Sequence, residues 1–264
     1  MKKYLVLGNP VEHSLSPKLH NHWFKENSIS AIYDKKKINE NDIKGIINEV
    51  KKEKINGINV TTPFKKIIIP YLDQLTPLAE ETQSVNTIYK ENDKVIGHNT
   101  DVGGFELALK SIKYEVKNKK IFILGAGGVV PSLVLSLKNM KAGKITLSNR
   151  TKKKAEEIKK IFSDIEIMEW GSITDFDMII NATRLGLQKD DKIDLDYSSI
   201  GPNKLFYDVI YNPKETNFLA QAKQFGNRVE NGKMMFIYQA HQAFTIWHKI
   251  IVHINEKTIK LLDK

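Results

Sequence analysis

The sequence predicts an α/β protein: an N-terminal α/β unit, then a doubly wound parallel sheet of the nucleotide-binding kind, with C-terminal helices packing back on the first unit. Three observations carry this. Strand and helix signals alternate through the first 60 residues; the apolar run Lys120-Ile121-Phe122-Ile123-Leu124 leads straight into Gly125-Ala126-Gly127-Gly128 and a helix; and strands go on alternating with helices to residue 208. The expected divisions are 1–101, 102–235 and 236–264.

In order, residues 4–8 read as a strand stopped by Gly8-Asn9-Pro10. Pro17 at a first helical position, with Ser16 before it as N-cap, predicts a helix to residue 24. A strand at 29–33, a lysine-rich turn, an amphipathic helix over 39–51 and a strand at 57–60 follow. Residues 66–72 and 76–83 read as short helices, 85–89 and 95–98 as a hairpin around Glu91-Asn92-Asp93, and a helix over 103–113 leaves the unit. The second unit holds a strand at 120–124, a helix over 129–140, a strand at 144–148, a lysine-rich helix to 162, and shorter strands at 166–168, 178–180 and 205–208. A long apolar-faced helix over 233–248 and a last one from 255 close the chain.

The 264 residues suffice for one large domain or two ordinary ones. Net charge is +10, and the excess is almost all lysine, since Arg150, Arg184 and Arg228 are the only arginines. With abundant Ile and Asn this is the profile of a chain encoded by AT-rich DNA and wearing a solvated lysine coat. No clustered arginine and aromatic pattern marks a nucleic-acid surface, whereas anionic small ligands suit the charge. The absence of cysteine excludes disulfides, thiolate nucleophiles and cysteine metal sites, and fits a reducing compartment. The start offers only four apolar residues before Gly8, and no run approaches a membrane span, so a cytoplasmic protein with no membrane partner is expected.

Gly125 to Gly128 sit between a buried strand and a helix N-terminus, where glycines let the backbone turn tightly and approach a pyrophosphate. The third fingerprint position holds Val130, which would keep helix and strand further apart than glycine does. The next strand ends in Asn149-Arg150-Thr151, followed by Lys152, Lys153 and Lys154, in place of the acid that commonly accepts ribose hydroxyls. An arginine that can fork onto a 2′-phosphate argues for NADP.

The other polar candidates stand in the first unit and the last long helix. Asn59-Val60-Thr61-Thr62-Pro63-Phe64-Lys65 reads as a buried strand end delivering polar side chains to a fixed point, although a lone lysine after a proline is ordinarily solvated. Ser16 and Asp101 are also well placed as N-caps, Ser14 as a loop hydroxyl, Asn86 as a turn residue, and Gln239 on a wet helix face. His20 and His22, two apart on a helix, point in different directions, and no zinc-type spacing occurs, so no metal is expected.

Taken together these stretches resemble the shikimate dehydrogenase family through nearly the whole chain. Gly8-Asn9-Pro10-Val11-Glu12-His13-Ser14-Leu15-Ser16-Pro17 is similar to the family's opening signature, and Asn59 to Lys65, Val85-Asn86-Thr87 and Gly97-His98-Asn99-Thr100-Asp101 to its next three motifs. Gly125 to Gly128, Asn149-Arg150-Thr151, Asn181-Ala182-Thr183, Tyr207-Asp208-Val209-Ile210-Tyr211-Asn212-Pro213, and Gln239-Ala240 with Phe244 and Trp247 keep the family's order and rough spacing. The resemblance implies NADPH-dependent reduction of 3-dehydroshikimate to shikimate on the way to the aromatic amino acids. It assigns Lys65 as acid/base residue with Asp101 beside it, and Ser14, Ser16, Asn59, Thr61, Lys65, Asn86, Asp101, Tyr211 and Gln239 to the substrate. The cofactor falls to Gly125, Ala126, Gly127, Gly128, Val129, Asn149, Arg150, Thr151, Lys154, Thr183, Val209, Gly232 and Met235. The chain departs from the family at Val129-Val130, where small residues are commoner, at Phe64, where many members carry histidine, and at Arg184, often serine. A dual quinate/shikimate dehydrogenase and a non-catalytic dinucleotide-binding regulator are the competing readings. The first is disfavoured by Ser14, Ser16 and the Arg150 context, the second by the presence of both Lys65 and Asp101. A monomer or homodimer is expected.

Overall fold

The structure, a computed structural model describing residues 1–263, divides into two compact units. One comprises Met1–Gly104 with the described residues from Ile237 onward; the other is Phe105–Phe236.

The first unit contains β1 (Lys2–Gly8), α1 (Ser16–Glu26), β2 (Ala31–Lys37), α2 (Ile43–Lys51), β3 (Gly57–Val60), α3 (Phe64–Ile67), β4 (Gln74–Leu75), α4 (Pro77–Thr82), β5 (Thr87–Glu91) and β6 (Lys94–His98). Its sheet runs β2-β1-β3-β5-β6-β4; β1 is parallel to β2 and β3, and β5 is antiparallel to β3 and β6. Side chains of β1 alternate, and both faces are covered. Leu5 and Leu7 enter a core with Ile43, Ile46, Ile47 and Val50, whose three- and four-residue spacing puts them on one face of α2. Tyr4 faces the other way, its ring 5.5 Å from Phe24 of α1 and 5.0 Å from Trp247. Trp247 belongs to a long helix numbered α9 below (Lys233–His248), and its indole N–H donates to the Ile88 carbonyl at 3.1 Å.

The second unit follows α5 (Asp101–Ser111) with β7 (Lys120–Leu124), α6 (Val130–Asn139), β8 (Lys144–Ser148), α7 (Lys152–Ile161), β9 (Glu166–Met168), β10 (Met178–Asn181), β11 (Leu205–Asp208), α8 (Asn217–Gln224) and β12 (Arg228–Glu230); α9 and α10 (Glu256–Lys260) end the chain. Its sheet is all parallel, in the order β12-β11-β10-β7-β8-β9. Counted along the chain this is 6-5-4-1-2-3, the Rossmann order, which reverses direction between β7 and β10. Ile121 to Leu124 are buried throughout, as a central parallel strand covered on both faces requires.

Several local expectations are corrected. Ser16 is not the N-cap of α1: it is the first helical residue, and its N–H donates to Ser14 Oγ at 3.3 Å. Asp101 opens α5, but the capping acceptor is Asn99, whose Oδ1 takes the N–H groups of Asp101 and Val102 at 3.0 and 3.3 Å. The lysine-rich stretch read as a turn is the outer half of β2, an edge strand guarded by Lys35, Lys36 and Lys37. The helix expected over 66–72 begins earlier, at Phe64, and ends at Ile67; Pro70, with no N–H to donate, lies in the 3₁₀ turn Ile69–Tyr71 that follows. β4, α8 and β12 were not foreseen.

Candidate active site

In the first unit, the strand ends and the loops after them are laced together before any functional side chain is placed. Thr61 N–H donates to the Leu7 carbonyl at 2.8 Å and Asn9 N–H to the Thr62 carbonyl at 3.0 Å. Gly8 makes this approach possible, since a Cβ there would lie 2.5 Å from the Thr61 methyl. Phe64, buried in the core, anchors the single turn of α3. The next residue, Lys65, is thereby held in the interior, and its own carbonyl accepts from Val85 N–H at 2.8 Å.

Lys65 Nζ lies 2.5 Å from Asp101 Oδ2, and both side chains are about nine-tenths covered. The second carboxylate oxygen accepts from Asn86 Nδ2 at 2.9 Å. Asn86 is itself fixed, because its Oδ1 accepts from Thr100 N–H at 2.8 Å and from the Thr87 hydroxyl at 3.0 Å. A buried carboxylate is tolerated only where it is paired and hydrogen-bonded; here Lys65 takes one oxygen of Asp101 and Asn86 the other, while the Asn99 cap fixes the Asp101 main chain. The outcome is an ammonium aimed by a carboxylate that cannot rotate away.

Asn86 Nδ2 also lies 3.5 Å from Gln239 Oε1, and at the start of α1 Ser14 Oγ donates to Ser16 Oγ at 3.2 Å. Asn59, on β3, joins the cluster through its Nδ2, which donates to the Asn86 carbonyl and the Thr87 hydroxyl, each at 3.1 Å. Thr61 is half-buried at the end of β3. One hydrogen-bonded cluster in the first unit therefore holds Asn59, Asn86, Asp101, Lys65 and Gln239, with Ser14 and Ser16 paired at the start of α1. Tyr211 lies in the second unit, its ring stacked on Phe236 at 4.4 Å.

In the second unit the glycine loop follows β7 at the point where strand order reverses. Gly125 has φ +111°, and a Cβ there would come within 2.7 Å of the Ala182 carbonyl. Gly127 is exposed, and a Cβ on it would meet nothing nearer than 3.9 Å, so the space over the loop at the head of α6 is open. Val130 is fully buried at the first turn of α6. Arg150 and Thr151 are exposed beyond β8, and Asn149 Nδ2 donates to the Thr151 carbonyl at 2.8 Å. Thr151 occupies the N-cap position of α7, without a hydroxyl cap bond, and Lys154 is exposed in the first turn.

The loops after β10 and β11 are pinned by a buried carboxylate. Asp208 accepts from the Thr216 hydroxyl at 2.6 Å, Ile210 N–H at 3.0 Å and Asn181 Nδ2 at 3.1 Å. Burial pushes its pKa up to about 6 against these three donors. Asn181 Oδ1 in turn holds Thr183 through its N–H and hydroxyl, at 3.0 and 2.7 Å. Gly232 closes against Val209 so tightly that a Cβ would lie 2.1 Å from the Val209 carbonyl, and Met235 is buried one turn into α9. Among the described residues no cluster of three or more His, Asp or Glu could hold a metal ion, and no helix is long and apolar enough to cross a membrane.

Residues 6–88 match the family model described as the shikimate dehydrogenase substrate binding domain, and residues 106–187 the model described as shikimate / quinate 5-dehydrogenase. The shikimate dehydrogenase (NADP(+)) of Pelagibacter ubique is 56% identical over 262 residues, covering 99% of each chain. The chain belongs to the shikimate dehydrogenase family. The same-named protein of Staphylococcus haemolyticus is 37% identical over 99% of this chain and 98% of its own. Among solved structures, a shikimate dehydrogenase in complex with NADP+ superposes with TM-score 0.91 at 34% identity, covering 100% of this chain and 95% of the other. The Thermus thermophilus shikimate 5-dehydrogenase with NADP(H) and shikimate reaches 0.88 at 28% identity, covering 98% and 97%. A 5-ketofructose reductase from Gluconobacter also superposes, at 0.86 and 26% identity over 98% and 96%, so the fold by itself does not select the substrate.

The donor set of the second unit fits NADP. The loop at Gly127 leaves room that a side chain would fill, the head of α6 favours an anion, and Arg150 meets no carboxylate among the described residues. Sequence reasoning missed the residues that hold the machinery: Tyr33, Thr87, Thr100 and Asp208. The only signal for Thr100 was its place beside Asp101, and for Asp208 its place two residues before Ile210 in a motif valued for Tyr211.

Proposed function

We propose that the chain catalyses the reversible NADPH-dependent reduction of 3-dehydroshikimate to shikimate, the step that leads toward chorismate and the aromatic amino acids. The buried contact of Lys65 Nζ with Asp101 Oδ2, braced by Asn86, carries this reading. NADPH, when bound, supplies the hydride. What the chain must add is a proton for the carbonyl oxygen and a counter-charge while that oxygen becomes an alkoxide. An ammonium within hydrogen-bond reach provides both, and in the reverse direction the amine takes the hydroxyl proton back. Asp101 keeps the ammonium aimed, and water is kept from the pair by its burial.

Ser14 and Ser16, with paired hydroxyls at the head of α1, suit the substrate's carboxylate, while Asn59, Thr61, Asn86, Gln239 and Tyr211 suit its ring oxygens. Arg150, with Asn149, Thr151 and Lys154, suits a 2′-phosphate, and the Gly125-Ala126-Gly127-Gly128-Val129 turn a pyrophosphate. Thr183 and Val209, on loops fixed by Asn181 and Asp208, with Gly232 packed against Val209 and Met235 at the start of α9, then form the remaining cofactor contacts. The enzyme acts in the cytoplasm as a monomer or homodimer. Initial rates with shikimate and quinate, each against NADP and NAD, test the reading. Shikimate with NADP is expected to dominate, and equal rates with quinate would make the enzyme one of dual specificity.

A further inference from the structure

We propose that Tyr33 is a positioning residue that fixes the Asn59 carboxamide so that Asn59 meets the substrate only as a hydrogen-bond acceptor, reading a hydroxyl. This rests on the substrate reading above and adds to it a residue outside every motif of the family resemblance.

The orientation of Asn59 follows from its neighbours. The Asn86 main-chain oxygen can only accept, so the Asn59 NH₂ must face it. Both Nδ2 hydrogens are then committed, to that carbonyl and to the Thr87 hydroxyl, each at 3.1 Å. Oδ1 is left on the other side, where the Tyr33 hydroxyl donates to it at 2.7 Å. What Asn59 retains is one acceptor lone pair on Oδ1. A carboxylate or ketone oxygen brought to it would face lone pair against lone pair, whereas a hydroxyl would donate.

Tyr33 is built to hold that orientation. It sits on β2 and its hydroxyl reaches past β1, whose Tyr4 and Val6 pair in register with Tyr33 and Asn59 respectively. The Asn21 side chain clamps its backbone, Oδ1 accepting from Tyr33 N–H at 2.9 Å and Nδ2 donating to the Tyr33 carbonyl at 2.8 Å. Its ring stacks on His20 at 4.3 Å with 4° between planes. Burial, and then the charge of His248, press the His20 pKa down to about 3, so the stacking partner stays neutral. Asn21, His20 and Ser16 all belong to α1, so one helix carries a substrate hydroxyl and anchors the tyrosine that orients another contact.

The test is Tyr33→Phe, which keeps the ring on His20 and removes the hydroxyl. The KM for shikimate should rise about ten-fold, the order expected for one lost hydrogen bond, with kcat and the KM for NADP nearly unchanged and the melting temperature lowered by only about a few degrees, as one buried bond lost from the free protein requires. Shikimate analogues lacking one ring hydroxyl each should show one strong penalty in the wild type, and that penalty should shrink in Tyr33→Phe, as coupled contacts require. A purely structural role would move kcat, both KM values and the melting temperature together. An unchanged shikimate KM, or an undiminished hydroxyl penalty, overturns the proposal while wild-type activity upholds the substrate reading. A wild type that oxidises no shikimate overturns that reading and the proposal with it. If Tyr33→Phe does not fold, Asn59→Ala is assayed with the same analogues, and a persisting penalty overturns the proposal.

Discussion

Asp208 gives the fold one pH-dependent contribution whose sign follows from its burial. In the folded chain its pKa is raised from 3.8 to about 6, so the native state binds a proton that the unfolded state releases. The contribution of Asp208 to stability is therefore full below about pH 4 and is lost as pH rises through about 6, opposite in sense to that of carboxylates such as Asp73 and Asp175, whose pKa values are lowered. About two units at ~1.4 kcal/mol each makes ~3 kcal/mol. Asp208→Asn removes the titration while keeping the contacts: its Oδ1 can accept from Asn181 Nδ2 and Ile210 N–H, and its Nδ2 can donate to the Thr216 hydroxyl in place of accepting from it. Urea unfolding of wild type and variant, followed by a probe in the second unit across about pH 4 to 7, reads the difference. Stability of the variant relative to wild type should climb by ~2–3 kcal/mol over that range. A difference that stays flat would refute the placement of an ionisable carboxyl in a site that dry.

Two further changes act on the cofactor side. Arg150→Ala should raise the KM for NADP about ten- to hundred-fold, as loss of a charge-assisted contact does, with little effect on NAD; equal changes in steady-state assays with both would remove Arg150 from the phosphate site. Gly232→Ala should weaken NADP binding, measured by titration, because the new methyl would lie 2.1 Å from the Val209 carbonyl and must push that loop away; unaltered affinity would show that Val209 is not held against the cofactor.

Much of this was legible in the sequence because it rests on short-range patterns. The run Ile121 to Leu124 with Gly125 at φ +111° is strand apolarity followed by a residue that accepts the left-handed turn, and α2 shows its buried face as Ile43, Ile46, Ile47 and Val50. Lys65, Asp101 and Asn86 stood in recognisable motifs. The residues that hold them were not legible, because their partners come from other strands. Tyr33 reaches Asn59 across β1, and nothing within the pattern of β2 marks it. Asn99 and Asp101 are equally good caps by type, and only the folded geometry gives the cap to Asn99 and frees Asp101 for Lys65. The end of β2 was hidden for the opposite reason: its exposed lysines protect a sheet edge and so look like a turn.

The central claim is that Lys65 moves the proton, and turnover of Lys65→Met with shikimate and NADP measures it most directly. Methionine keeps the bulk, and a shikimate-dependent rise in melting temperature checks that the variant is folded and still binds. The kcat should fall by about two to four orders of magnitude, with the shikimate KM changed far less. A folded, shikimate-binding variant that turns over at near the wild-type rate would contradict it.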